Sequence, residues 1–171
     1  MPKFIGWIPT QPDSINTFFE ICPVSSRDTV YDLGSGDGRL LFAALENGAG
    51  RCVGIEIDPE RITASRQTAK LKGLSDRVTF VEADVMDVNL SAASVIFCYI
   101  YSSASSALKP KFEKELKPGT KVVMESFSVR GWKPLKIKEN KSRTFYFYVM
   151  PPAFTELIDE YSGDYWNNDI Y

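Results

Sequence analysis

Apolar positions along the 171-residue chain change period repeatedly, and each change marks an element. Ile15, Phe18, Phe19 and Cys22 fall at i, i+3, i+4 and i+7, which predicts a helix over Asp13–Cys22, entered after Pro12 and stopped at Pro23. Short apolar runs predict strands at Thr29–Leu33, Arg51–Ile55, Arg77–Glu82, Ser94–Tyr99 and Lys121–Glu125. Helical stretches lie between them. One covers Arg39–Asn47 before Gly48, one opens at Asp58-Pro59 and closes at Gly73, and one surrounds Lys111–Leu116 before Pro118-Gly119. Strands alternating with helices predict a parallel, doubly wound α/β sheet with right-handed crossovers. Two further strands, Pro134–Lys138 and Thr144–Met150, flank the polar stretch Glu139–Arg143 and predict an antiparallel hairpin at one edge of a seven-stranded sheet. Pro151-Pro152 reads as the end of the domain, residues 1–152, whose first 23 residues form an N-terminal lid and helix. Residues 153–171 read as an acidic, aromatic tail, with Phe154, Leu157, Ile158 and Tyr161 on one helical stripe.

Composition narrows the chemistry. The chain has 44% hydrophobic and 25% charged residues, as a globular domain does. Its net charge of -2 conceals an asymmetry: residues 154–171 hold five acids and no base, so the preceding residues sum to 20 minus 17, or +3. Histidine is absent, which excludes Ser-His and Cys-His nucleophile systems, His-ligated metals and the commonest general base. Cys22, Cys52 and Cys98 are odd in number and unpaired in spacing, so they read as reduced thiols in a cytoplasmic protein, with no metal site. The N-terminus does not read as a secretory signal, and the longest apolar run, Val95–Tyr101, is far short of the ~20 residues that span a bilayer. The expectation is a soluble protein.

Asp32-Leu33-Gly34-Ser35-Gly36-Asp37-Gly38 sits between a predicted strand and helix, where glycines let backbone approach a ligand closely. Its spacing is G-x-G-x-G, with Arg39 where a dinucleotide fingerprint places its third small residue. Asp32, at a strand end, is poor company for a pyrophosphate but suits an ammonium group. Glu56 ends the second strand, twenty-two residues after Gly34, where a carboxylate can accept hydrogen bonds from both ribose hydroxyls. Asp84 follows the third strand and can accept from an adenine amine. All three acids fall at the carboxyl ends of parallel strands, where such sheets bind ligands.

Asp32-x-Gly34-x-Gly36-x-Gly38, Glu56-Ile57-Asp58 and Ala83-Asp84-Val85 together resemble the three cofactor motifs of class I S-adenosylmethionine-dependent methyltransferases, which have a Rossmann-like fold. The resemblance implies a binding map. Asp32 holds the methionine amino group, Gly34, Ser35, Gly36 and Gly38 pass beneath the methionine moiety, and Glu56 holds the ribose. Ile57 and Val85 flank the adenine, and Asp84 takes its amine.

At the fourth strand, methyltransferases of adenine or glutamine amides usually carry Asn/Asp-Pro-Pro-Tyr/Phe. This chain has Phe97-Cys98-Tyr99-Ile100-Tyr101, so no nucleic-acid partner is expected. A narrower likeness, over about residues 7–150, is carried by Trp7-Ile8-Pro9-Thr10, Leu108–Gly119, Arg130-Gly131-Trp132-Lys133-Pro134 and Thr144–Val149. These resemble the small protein-lysine methyltransferases of archaea and their mitochondrial relatives. That implies methyl transfer from S-adenosyl-L-methionine to lysine amines of a protein partner. Rival readings are the same fold acting on a small molecule or RNA, and a binding module without activity.

The chemistry suits the missing histidine. A lysine ammonium has no lone pair, and making it neutral at pH 7 costs roughly 4.6 kcal/mol from a pKa of ~10.4. Burial beside a sulfonium lowers that pKa by desolvation and like-charge repulsion, so water can take the proton. Tyr99 is the candidate catalytic residue, orienting the amine or facing the cations with its ring. Ile8, Pro9 and Thr10 can form a lid over the cofactor, the alternative for Thr10 being a helix cap. Trp132 reads as a packing anchor and the lysine-rich run Lys109–Lys117 as a solvated helix face. Glu125 is given no catalytic role, because its position is not uniformly acidic in such relatives.

Overall fold

The computed structural model of the chain describes residues 8–99, 102–141 and 143–154. Four helices are present among them: α1 (Pro12–Ile21), α2 (Arg39–Glu46), α3 (Pro59–Leu71) and α4 (Ser102–Glu115). Seven strands form one sheet: β1 (Thr29–Leu33), β2 (Arg51–Glu56), β3 (Val78–Glu82), β4 (Val95–Cys98), β5 (Lys121–Glu125), β7 (Lys136–Asn140) and β8 (Arg143–Val149). Two-residue strands β6 (Trp132–Lys133) and β9 (Ala153–Phe154) pair separately. The order β3-β2-β1-β4-β5-β8-β7 is parallel as far as β5, and β8 then pairs antiparallel with β5 and β7. The doubly wound sheet with its C-terminal hairpin is therefore the architecture expected. No described helix is long and apolar enough to cross a membrane.

Alternation along the strands divides the core in two. Val30, Phe97, Val123, Phe145 and Phe147 face α1, α2 and α3, and Phe18 of α1 meets Phe97 edge-on at 5.2 Å. Leu33, Ile96, Met124 and Tyr148 face the other way, toward Leu108 and Phe112 of α4 and toward Trp132. Local chemistry fixes the helix starts. Asp58 caps α3 by accepting from Glu60 N and Arg61 N, with Pro59 in the first turn.

The structure departs from the sequence pattern in three places. α4 begins at Ser102, well before Lys111, and carries Pro110 inside it. Proline removes one helical hydrogen bond, at ~3 kcal/mol, yet Leu108 and Phe112 on either side are buried against the sheet and hold the helix across it. The hairpin strands reach Asn140 and start again at Arg143, so most of the stretch taken as a polar connector is paired strand. Finally, Phe154 lies in β9 opposite Trp132, rather than opening a helix, and this pairing carries the fold past Pro152. The other stripe residues, Leu157, Ile158 and Tyr161, lie outside the described residues.

Candidate active site

Tight stitching shapes the loop after β1. Gly34 N and Ser35 N both donate to Ile55 O, at 2.8 and 2.9 Å, folding the loop back onto β2. Gly34 has φ +86°, and a Cβ built there would meet nothing within 4 Å, so the space beside it is open to a ligand. Gly38 differs. At φ +79° its Cβ would lie 2.6 Å from the Phe80 ring, so this glycine serves the packing of α2 on the sheet. The packing accounts for a glycine at this position of the motif. Gly36 N donates to Glu56 Oε2 at 3.0 Å, and Ser35 Oγ is buried without a hydrogen-bond partner among the described residues.

Glu56 is 5% exposed and largely committed. Its Oε1 accepts from Ile57 N (2.9 Å) and Asp58 N (3.0 Å) and lies 3.5 Å from Arg61. A carboxylate offers about four acceptor positions, so three backbone donors leave one, on Oε2. One open position stands where the sequence reading asks for two.

Asp32, on β1, is buried beside this cluster. Burial first, then the charges of Glu56, Glu125 and Asp37, push its pKa up to about 8. Asp37 lies in the salt bridge to Arg39 at 2.6 Å, and Arg39 also donates to Thr10 O at 3.4 Å. Thr10 is thus tied over the glycine loop through its backbone. It does not cap α1, whose N-cap is Gln11 with no side-chain cap. Asp84 Oδ1 accepts from Met86 N, and Val85 is half-buried in the short turn that follows. Ile57 stands 66% exposed at the end of β2, an apolar surface available to a flat ring.

Tyr99 follows β4, half-buried against the α1-side core. The Arg143 guanidinium stacks on its ring, 4.6 Å from the centroid. The same guanidinium lies 3.1 Å from Glu125 Oε1, which also accepts from Ser14 Oγ at 2.9 Å. Desolvation would lower the Arg143 pKa, but hydrogen bonding to Tyr99 and the charge of Glu125 outweigh it and raise the pKa. Register explains the gathering. Asp32 pairs with Phe97 and Phe97 with Val123, so Asp32, Tyr99 and Glu125 share one face. Phe145 pairs with Glu125, which brings Arg143, two residues earlier, to the same face under α1. Arg143, Ser14 and Glu125 were missing from the sequence-derived site. The signal that could find them is the two-residue period of β8, once β8 is set beside β5.

The remaining candidates fall elsewhere. Trp132 is 3% exposed on the opposite face, packed on Tyr148 and bonded through Nε1 to Glu113, as a packing anchor should be. Within the lysine run, Lys111 is no solvated residue, being buried in an ion pair with Glu115 at 2.8 Å and bonded to Met86 O. Trp7, Ile100 and Tyr101 lie outside the described residues. Among those described, no cluster of three metal-ligating side chains occurs.

An adenosyl amino acid fits this cradle. Open space beside Gly34, an open acceptor position on Glu56 and the exposed Ile57 follow one another along the strand ends. Relatives agree. A protein-lysine N-methyltransferase of Saccharolobus islandicus is 37% identical over 151 residues, 85% of this chain and 94% of that protein. A mouse adenine nucleotide translocase lysine N-methyltransferase is 31% identical over 62% of this chain and 46% of its own length. The crystal structure of an RNA methyltransferase from Salinibacter ruber, in complex with S-adenosyl-L-homocysteine, superposes with a TM-score of 0.83 at 35% identity, over 90% of this chain and all of that one. Residues 32–136, more than half the chain, match the ANTKMT methyltransferase domain, and with the cradle they span this places the chain in that family, as an S-adenosylmethionine-dependent methyltransferase.

Proposed function

We propose that this methyltransferase acts on the side-chain amines of lysine residues in proteins. The observation that carries the reading is the 37% identity to the Saccharolobus protein-lysine N-methyltransferase across nearly that protein's whole length. Bound in the cradle, S-adenosylmethionine supplies an electrophilic methyl group on a sulfonium. Asp32 holds the methionine ammonium, which draws the buried carboxyl into its charged form. Gly34 and Gly36 let the backbone run beneath the amino acid, and Glu56 Oε2 accepts one ribose hydroxyl. Ile57 and Val85 flank the adenine, Asp84 receives its amine, and Thr10 covers the cofactor from above. Tyr99 stands beside the methyl group.

The site supplies what an amine acceptor needs. A lysine must arrive neutral, against roughly 4.6 kcal/mol at pH 7, and a pocket that excludes water and contains fixed positive charge lowers that cost. Arg143 places a positive charge there, 22% exposed and balanced by Glu125 at 3.1 Å. In-line positioning of the amine supplies most of the remaining acceleration. The catalytic domain runs through Phe154 and the acidic segment after it is a tail. Three free, buried cysteines support a cytoplasmic setting.

A second reading, methyl transfer to RNA, is favoured by the likeness to the Salinibacter ruber structure. Against it, residues 1–153 sum to only +3 and the whole chain to -2, a weak attraction to the phosphates that dominate nucleic-acid affinity. Incubation with methyl-labelled S-adenosylmethionine and cell extract separates the two. Label recovered as methyl-lysine is the expected result, and label confined to RNA or metabolites overturns it.

A further inference from the structure

Glu125 ends β5 fully buried, and only one of its oxygens is in use. Oε1 takes both Ser14 and Arg143, whereas Oε2 has no hydrogen-bond partner among the described residues. A buried carboxylate oxygen normally has a donor. Here the two donors come from different elements, α1 and β8, and together they fix the carboxylate's direction while leaving one oxygen bare.

The position of that oxygen is informative. Read across the sheet in the order β3, β2, β1, β4, β5, the strand ends carry Asp84, Glu56, Asp32, Tyr99 and Glu125. On the proposed map these take adenine, ribose and methionine amino group in turn, so the sequence of seats continues past the amino acid to Tyr99 and Glu125. Two strand spacings, about 10 Å, separate β1 from β5. On the proposed map, a methyl group and an incoming nitrogen fall within that span. Of the groups packed on the carboxylate, Arg143 has about a fifth of its side chain exposed, with half-buried Tyr99 stacked against its guanidinium.

We propose that Glu125 Oε2 is the seat of the acceptor amine: it accepts an N–H from the substrate lysine, takes its proton, and holds the nitrogen lone pair toward the methyl group. This inference rests on the lysine reading above. In the step, the ammonium N–H bond breaks and its proton passes to Oε2, leaving the electron pair on nitrogen. The N–C bond then forms as the C–S bond breaks, its pair remaining on sulfur. The product leaves as a methylated ammonium, and the proton on Glu125 passes to water. Arg143 assists from the side, its fixed charge disfavouring a second cation and so favouring the neutral amine. The Tyr99 ring gives the Arg143 guanidinium an aromatic face and so holds it beside the carboxylate. A dedicated carboxylate base thus replaces the solvent water that the absence of histidine had implied.

The test uses the full chain, with cell-extract protein as acceptor and radiolabelled S-adenosylmethionine, reading methyl-lysine after hydrolysis and cofactor affinity by calorimetry. Glu125→Gln is expected to bind S-adenosylmethionine within about twofold of the parent and to transfer methyl roughly 100-fold more slowly, the lower range for loss of a general base. Glu125→Asp keeps the charge beside Arg143 and withdraws the oxygen by one methylene. It carries the test if the Gln variant does not fold, and should transfer about tenfold more slowly with cofactor affinity unchanged. Methyl-lysine formed at the parental rate by either folded variant overturns the assignment and leaves the lysine reading intact. Cofactor affinity falling as far as the rate does also overturns it, by moving Glu125 to cofactor binding. A parent enzyme that labels RNA and no lysine overturns the lysine reading first, and this inference with it.

Discussion

Asp32→Asn should make the cofactor-free protein more stable while weakening its hold on S-adenosylmethionine. Asp32 is 4% exposed, and burial with three neighbouring acids raises its pKa from 3.8 to about 8. Between these values the folded chain binds a proton that the unfolded chain has released. Stability therefore falls as pH rises through this window, by about 1.4 kcal/mol per pH unit. The contribution is fully present below about pH 4 and fully lost above about pH 8. The total is roughly 6 kcal/mol, of which about 4 kcal/mol is lost by pH 7. Asparagine cannot ionise, so the gap between variant and parent should be near zero at pH 4 and widen to several kcal/mol at pH 8. Denaturant melts at half-unit pH steps measure it. Cofactor binding runs the linkage in reverse, because an ammonium beside Asp32 favours the carboxylate. The parent should release close to one proton on binding near pH 7, and its affinity should climb up to about tenfold per pH unit until about pH 8. Calorimetry in two buffers of different ionisation enthalpy counts that proton. Parallel stability curves for parent and variant, or binding at pH 7 with no proton released, would refute the reasoning.

Glu56→Gln should lower stability by roughly 2 kcal/mol, because an amide donor would face backbone N–H groups that now meet an acceptor. It should also weaken S-adenosylmethionine at least tenfold; unchanged affinity in calorimetry would remove Glu56 from the ribose seat. The two loop glycines should separate cleanly. Gly38→Ala, driven against Phe80, should cost ~1–3 kcal/mol in melts, whereas Gly34→Ala should cost about 1 kcal/mol and chiefly impair cofactor binding. A larger stability loss at Gly34 than at Gly38 would contradict this. Burial pushes the Cys22 thiol up to about 11, Cys52 to about 12 and Cys98 well above its usual value. All three should resist a thiol reagent at pH 8 in the folded protein and react on unfolding, as followed by mass spectrometry.

Much of the fold was legible because glycine and proline punctuate it. β1 and β5 run between the same residues that the apolar runs mark, and Asp58-Pro59 starts α3 where it must. The gathering of Asp32, Glu56 and Asp84 was legible for a related reason, since parallel strands point their carboxyl ends to one side. What escaped depends on tertiary partners. The first turn of α4 is Ser-Ser-Ala-Ser, in which the three serines favour caps over helix interiors, and its place is set by burial further along and by Ser105 bonding to Ser128 O. Arg143 looked like loop because nothing in its own neighbourhood says that β8 lies against β5. Glu56 stands out in the sequence, but the backbone amides that occupy it belong to conformation, which the chain's letters do not display.

The bracket around α1 has a kinetic consequence. Asn140 of β7 donates to Asp13 O (2.9 Å) and to Thr17 Oγ1 (2.7 Å), and Lys138 and Lys141 pair with Glu20 and Asp13. Ser14 rides on the same helix, and Arg143 on the same hairpin. The two groups that grip Glu125 therefore belong to parts that are fastened to each other at several points. Prying them apart would break these links together, so such opening is a cooperative event and not the flutter of one side chain.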